Sequence, residues 1–163
     1  SRAIAHWAIG RGPQLALWPD SRVRQQSIEN LIATVDGPFA TASYFYEHAS
    51  EHPSRSREHY RNEAEIFLAQ LEARIARMGY LVGGEETLAD IAVLPFVHRF
   101  AEVDRDWFDS SPYLALRSWL GRYRQFPLWL QCLEPIPLWS PGAEPFYLVA
   151  HDLDAIPTLS TRA

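Results

Sequence analysis

Apolar residues recur along the first two thirds of the chain in steps of three and four, the spacing that places them on one face of a helix. From Asp20 onward the set is Ile28, Leu31, Ile32, Val35, Phe39, Ala42, Tyr46 and Ala49. This predicts one long amphipathic helix, kinked at Pro38, where a backbone donor is lost and the ring crowds the carbonyl four residues back. Asp36-Gly37 marks the same weak point, and His52-Pro53 should end the helix. A loop through Pro53-Ser54-Arg55-Ser56 leads to a second helix carrying Tyr60, Ala64, Phe67, Leu68, Leu71, Ile75 and Met78. Gly79 stands where a left-handed C-terminal residue is expected. Tyr80-Leu81-Val82 reads as extended, and Gly83-Gly84 as the turn.

Thr87-Leu88-Ala89-Asp90 has the form of a short capping box, in which each residue satisfies a backbone donor of the other. The helix it opens, through about Val103, is apolar on most sides and is predicted at the centre of a bundle. Ser111-Pro112 starts another helix with Tyr113, Leu116, Leu120 and Tyr123, and residues 126–133 form a short one. After Glu134 the prolines crowd together (Pro135, Pro137, Pro141, Pro145, Pro157), which predicts an irregular tail tied down by Trp139, Phe146 and Tyr147. No stretch alternates long enough to build a sheet. The expected fold is all-α, a single helical bundle with a Pro-rich irregular tail.

Composition narrows the function without naming it. The chain has 163 residues, 47% of them hydrophobic, enough for one packed core. Its 15 basic residues are all Arg, and the net charge of −5 argues against nucleic acid as a partner. A single cysteine, Cys132, excludes an internal disulfide framework and points to a reducing compartment. No apolar run reaches the length of a membrane span, and the start of the chain does not read as a signal peptide. The expectation is a soluble cytoplasmic domain.

The stretch from Tyr80 to Gly84, through Thr87-Leu88-Ala89-Asp90-Ile91-Ala92, to Pro95-Phe96 resembles the C-terminal helical domain of the glutathione transferase superfamily. Phe100-Ala101, Val103-Asp104, Trp107-Phe108, Pro112-Tyr113 and Trp119-Leu120 are similar to a bacterial branch of it, and Leu31-Ile32 with Asp36-Gly37-Pro38-Phe39 to the domain's first helix. Ser1 to Ala8 resembles the last helix of the thioredoxin-like domain that precedes it. The resemblance implies a division into residues 1–12, a remnant of that helix with a linker, 13–147, the helical domain, and 148–163, a tail. The rest of the thioredoxin-like domain, which activates the glutathione thiol, is expected to be missing from this chain.

The resemblance also assigns candidate roles, with glutathione as co-substrate, a small electrophilic or hydrophobic ligand and a homodimer. Ser1 matches a residue that holds the γ-glutamyl carboxylate. Asp36 matches an acidic residue that reaches the glutathione amine across a dimer, and reads equally as an exposed helix Asp. Phe39, Ser43, Tyr46 and Trp107 are candidates for a hydrophobic substrate pocket, although aromatic residues at helical spacing more often form core. Thr87 and Asp90 read as structural.

Other residues give weaker signals. His48 and His52 stand four apart with His59 near, but the pattern lacks the partners of a metal site, and none is expected. Cys132 reads as an inert buried thiol, and Arg117, Arg122 and Arg124 as a solvated helix face. Two other functions stay open: a non-catalytic interaction module and a ligand-storage protein of the same fold.

Overall fold

The computed structural model describes residues 2–9, 17–135, 138 and 140–144. Ser1, Trp139, Phe146 and Tyr147 lie outside the described residues. Among those described there are eight α-helices and no strand. They are α1 (Arg2–Ile9), α2 (Arg22–Thr34), α3 (Ala40–Glu47), α4 (Arg57–Met78), α5 (Leu88–Val103), α6 (Arg105–Ser110), α7 (Leu114–Arg124) and α8 (Pro127–Leu133). The chain divides into two compact units, Ser1–Leu120 and Gly121–Ala163.

In the first unit the predicted kink is a π-helical segment, Val35–Phe39, joining α2 to α3. Pro38 cannot donate to the helix ladder, and the wider turn takes up the misfit: the Ala40 amide reaches back to the carbonyl of Val35, five residues earlier. The apolar stripe survives the change of pitch, with Ile28, Leu31 and Ile32 buried before it, Val35 and Phe39 within it, and Ala42 and Tyr46 after it. The α2 stretch packs on α5, while α3 lies against α4 and α5.

Helix α4 starts at Ser56, whose hydroxyl accepts from the His59 amide at 3.1 Å. It ends at Gly79, whose φ of 84° is a conformation that a side chain resists. The following turn differs from expectation. Tyr80 and Gly83 pair across it, so the chain reverses at Leu81-Val82, and both of those side chains are buried. Gly83 has a φ of 109°, and a Cβ there would meet the Arg24 guanidinium at 3.5 Å. Helix α5 buries Leu88, Val93, Leu94, Val97, Phe100 and Ala101 and turns Ile91, Pro95 and Arg99 outward. Burying each large apolar side chain contributes about 1.5–3 kcal/mol, so this helix is the centre of the core.

Two helix starts were built in ways the spacing did not predict. Asp104 opens α6 by accepting from the Trp107 amide at 3.1 Å. Helix α7 begins at Leu114, two residues after Pro112, and its cap comes from another helix: the Glu72 carboxylate of α4 accepts from the amides of Ala115 (3.0 Å) and Leu116 (2.7 Å). In the second unit, α8 buries none of its residues, and Cys132 is exposed. This exposure corrects the reading of Cys132 as a buried thiol. Arg117 is half-buried and donates to the Ser111 carbonyl at 3.1 Å, so it too departs from a solvated face.

Candidate functional site

Two of the places in the first unit that hold buried polar groups are built differently. At the start of α5, Asp90 is 0% exposed and accepts four hydrogen bonds. The Leu81 amide and the Trp119 indole donate to Oδ1 at 3.0 and 3.1 Å. The Thr87 amide and hydroxyl donate to Oδ2 at 3.0 Å each. The carboxylate thus does more than complete a capping box with Thr87. It fastens the turn after α4, the start of α5 and a ring of α7 to one point. Burial pushes its carboxyl above the usual aspartate value, and the four donors limit the rise. With every acceptor position engaged, this residue has no capacity left for a ligand.

The second place lies where the end of α3, the start of α4 and the end of α5 meet. There an open cleft of about 390 Å³ is lined by Tyr46, Glu47, Ala49, Ser50, Arg57, Arg99, Glu102 and Val103. Tyr46 is 1% exposed, yet its hydroxyl has no hydrogen-bond partner. The Arg57 guanidinium sits over its ring, 4.8 Å from the centroid. Burial, the largest influence, pushes the hydroxyl's pKa up; Arg57 pulls it down, Asp104 pushes it up, and the Arg61 guanidinium beside it pulls it down by charge and as a long-range hydrogen-bond donor. Arg99 pairs with Glu47, both its Nε and Nη2 lying 2.9 Å from Oε2.

A second cleft, of about 520 Å³, runs along the π-helical segment and α4. Thr34, Pro38, Phe39, Thr41, Ala42, Glu63, Ile66, Phe67 and Gln70 line it.

The candidates for a hydrophobic pocket do not share one cavity. Phe39 is buried against Phe67 (centroids 5.1 Å apart) and Phe100 (5.6 Å), at the floor of the second cleft. Tyr46 meets the same Phe100 ring at 5.1 Å but borders the first cleft. Trp107 meets Phe100 at 6.1 Å and carries the Arg61 guanidinium over its face at 4.7 Å. These three aromatic residues converge on Phe100, Phe39 and Tyr46 as buried core and Trp107 half-buried at its edge. Their helical spacing marks an inward face, and it does not distinguish a core from the wall of a pocket. Ser43 is half-buried, with a hydroxyl that lacks a hydrogen-bond partner. Asp36 is exposed on the π-helical segment, away from both clefts' linings.

The histidines are held by aromatic neighbours. His48 stacks on Tyr44 at 4.4 Å, and His52 meets Phe45 edge-on at 4.9 Å. Among the described residues no three His, Cys, Asp or Glu side chains gather as metal ligands would. None of the described helices is long and apolar enough to cross a membrane.

Sequence reasoning missed Arg57, Arg99 and Glu102 as cleft residues and Glu72 and Glu65 as anchors. Asp104, three residues before Trp107, was a readable helix cap. The Glu65 carboxylate accepts from the Tyr113 hydroxyl at 2.8 Å, and burial together with this carboxylate pushes that hydroxyl's pKa up. Partners 48 residues apart leave no local pattern.

Residues 55–122 match the family described as Glutathione S-transferase, C-terminal domain. The helical bundle is of the glutathione S-transferase C-terminal type. The matched stretch spans α4, the turn fastened by Asp90, and α5. Solved structures agree on the fold. A possible glutathione S-transferase from Rhodopseudomonas palustris is similar at 22% identity and a TM-score of 0.62, over 92% of this chain and 69% of that one. A glutathione S-transferase from Xanthobacter autotrophicus Py2 is similar at 21% identity and 0.59, over 77% and 62%. The theta class enzyme from Xanthomonas axonopodis pv. citri is similar at 20% identity and 0.60, over 80% and 71%. The match thus spans about 62% of the length of the Xanthobacter protein. No curated protein matches this sequence.

Proposed function

We propose that this chain works as the helical domain of a glutathione transferase, the part that shapes the second-substrate side and the dimer face. The observation that carries the reading is the family match over residues 55–122, which falls on the helices and turn that Asp90 fastens together. In the parent reaction the glutathione thiolate attacks an electrophilic carbon and displaces its leaving group. The thiolate would be favoured by hydrogen bonds from a thioredoxin-like domain. On this reading residues 1–12 belong to the last helix of that domain and its linker, 13–147 to the helical domain and 148–163 to a tail. Ile4 and Trp7 of α1 are 70% and 60% exposed, as a helix that packs on a sheet outside this chain would leave them.

Within this proposal Ser1 and Asp36 face glutathione, Asp36 by way of a second subunit. Ser43, Tyr46 and Trp107 shape the electrophile side from beneath, with Phe39 supporting them from the core. The protein would work in the cytoplasm. The test is conjugation of 1-chloro-2,4-dinitrobenzene to glutathione by the intact protein in its source cell. Turnover supports the reading, with Asp36→Ala raising the KM for glutathione more than it lowers kcat. No turnover across a broad panel of electrophiles contradicts it. A non-catalytic ligand-binding role draws on one observation of its own, the open cleft of about 390 Å³ bordered by Tyr46, Arg57 and Val103.

A further inference from the structure

Arg57 and Arg61 stand one turn apart on α4, and each lays its guanidinium over a ring: Arg57 over Tyr46 at 4.8 Å, Arg61 over Trp107 at 4.7 Å. Their surroundings differ. The Arg61 side chain is 21% exposed, pairs with Glu65 at 3.3 Å and Glu58 at 3.8 Å, and acts on the buried Tyr46 hydroxyl. It lines neither of the two described clefts. The Arg57 side chain is 50% exposed and forms part of the wall of the 390 Å³ cleft. The ring beneath it is buried, so Tyr46 covers one side of this guanidinium while the other side is open to the cleft.

The edges of Arg57 are already directed at the protein. Nη2 donates to the Val103 carbonyl at 3.0 Å, and Nη1 meets the Asp104 carboxylate at 3.5 Å. The charges lining the cleft balance, Arg57 and Arg99 against Glu47 and Glu102. Glu47 is paired with Arg99 at 2.9 Å, and Glu102 lies between Arg105 at 3.5 Å and His98 at 3.9 Å. A cation entering the cleft would have to displace one of these pairs, and an anion would meet the carboxylates as well as the guanidiniums. What is left to use is the open side of a cation held in place, and such a side attracts the negative face of a π system. Ala49 and Val103 add apolar flanks.

We propose that this cleft binds a neutral, planar, electron-rich aromatic molecule, its ring lying on the open side of Arg57 so that the guanidinium stands between that ring and Tyr46. The volume suits a small molecule. Electron-withdrawing substituents drain the ring face on which the attraction depends, so they weaken binding. As a binding site this stands without any reaction. As the electrophile side of a transferase it rests on that reading.

Three neutral probes of similar size separate the contributions: anisole has an electron-rich ring, nitrobenzene an electron-poor one, and methoxycyclohexane no π face. The full 163-residue chain is titrated with each in the absence of glutathione, and NMR follows backbone amides and arginine side-chain N–H groups. Anisole should bind about threefold or more tightly than either counterpart, with amide shifts centred on the ends of α3 and α5 and the start of α4. Its ring current should move the Arg57 Nε–H signal upfield, and methoxycyclohexane should leave that signal in place. Arg57→Lys keeps the charge and loses the plane, and should shrink the advantage of anisole over methoxycyclohexane. Arg57→Gln keeps a flat amide without the charge, and should bring anisole and nitrobenzene to equal affinity. If these variants fail to fold, the Arg57 signal of the unmodified chain decides.

Absence of anisole-dependent shifts at millimolar concentration, equal binding of nitrobenzene, an unmoved Arg57 signal, or tighter binding of sodium benzoate or benzylamine than of anisole overturns the proposal. Conjugation of 1-chloro-2,4-dinitrobenzene without anisole binding would overturn it and leave the transferase reading standing. Anisole binding without conjugation of any electrophile would support the site and remove the transferase reading.

Discussion

Asp90 and Tyr46 are both buried in the first unit, at 0% and 1% exposure, and they teach opposite lessons. Asp90 collects four donors from three separate segments and leaves none of its acceptor positions open. Tyr46 has a buried hydroxyl that meets no partner at full hydrogen-bond geometry and feels the Arg61 guanidinium only at longer range. A buried polar group that is fully paired belongs to the scaffold. One that meets no partner at full geometry adds packing to the scaffold and little hydrogen bonding. The same bundle therefore has a place where a polar group fastens helices together and a place where a phenol is held by packing.

Substitutions can break this contrast. Asp90→Ala strands the Leu81 and Thr87 amides and the Trp119 indole in the core, and should lower stability by about 3 kcal/mol in urea unfolding. An unchanged urea midpoint would remove Asp90 from its structural role. Glu72→Ala removes the acceptor for the first amides of α7 and should cost about 1.5 kcal/mol, near the upper range for a lost helix cap. Faster hydrogen exchange at Ala115 and Leu116 is the local readout, and unaltered exchange there would contradict the cap.

A smaller effect is a loss of stability in strong alkali. Tyr113 and Tyr46 have hydroxyls whose pKa is pushed above the ordinary 10.0, so the unfolded chain ionises first. Their contribution is complete below pH 10 and is lost as pH rises beyond it, by up to about 1.4 kcal/mol per pH unit for each group. With no Lys in the chain, lysine titration does not mask the window above pH 10. Tyr113→Phe should flatten the alkaline fall, and a slope identical to that of the unmodified chain would count against the assignment.

Much of the bundle was legible because helical burial is periodic. The stripe from Ile28 to Tyr46, the Gly79 stop and the Thr87-Asp90 start all follow from spacing and from residue types with a known backbone preference. The π-helical form of the Pro38 kink was not readable, since Pro announces a misfit without saying how the turn absorbs it. The reversal at Leu81-Val82 was misplaced onto the glycines because two apolar residues carry no turn signal; their burial under the helices holds them there.

The candidate site was legible only in part. Phe39, Tyr46 and Trp107 were singled out as aromatic residues, but the spacing could not reveal that they surround Phe100. Arg57 and Arg99 come together only through packing, 42 positions apart in the chain. The Trp119 bond to Asp90, across 29 residues, left no trace in either motif.

The smallest expected effect is the most informative one. Tyr46→Phe deletes one oxygen from the core and nothing else, so urea unfolding of that variant asks directly whether the hydroxyl is part of the scaffold. The account predicts an unfolding midpoint equal to or above that of the unmodified chain, because the lost oxygen met no partner at full hydrogen-bond geometry. A fall of about 1 kcal/mol or more, the usual worth of an intramolecular hydrogen bond, would show that the hydroxyl is already spent on the fold, and the contrast with Asp90 would be lost.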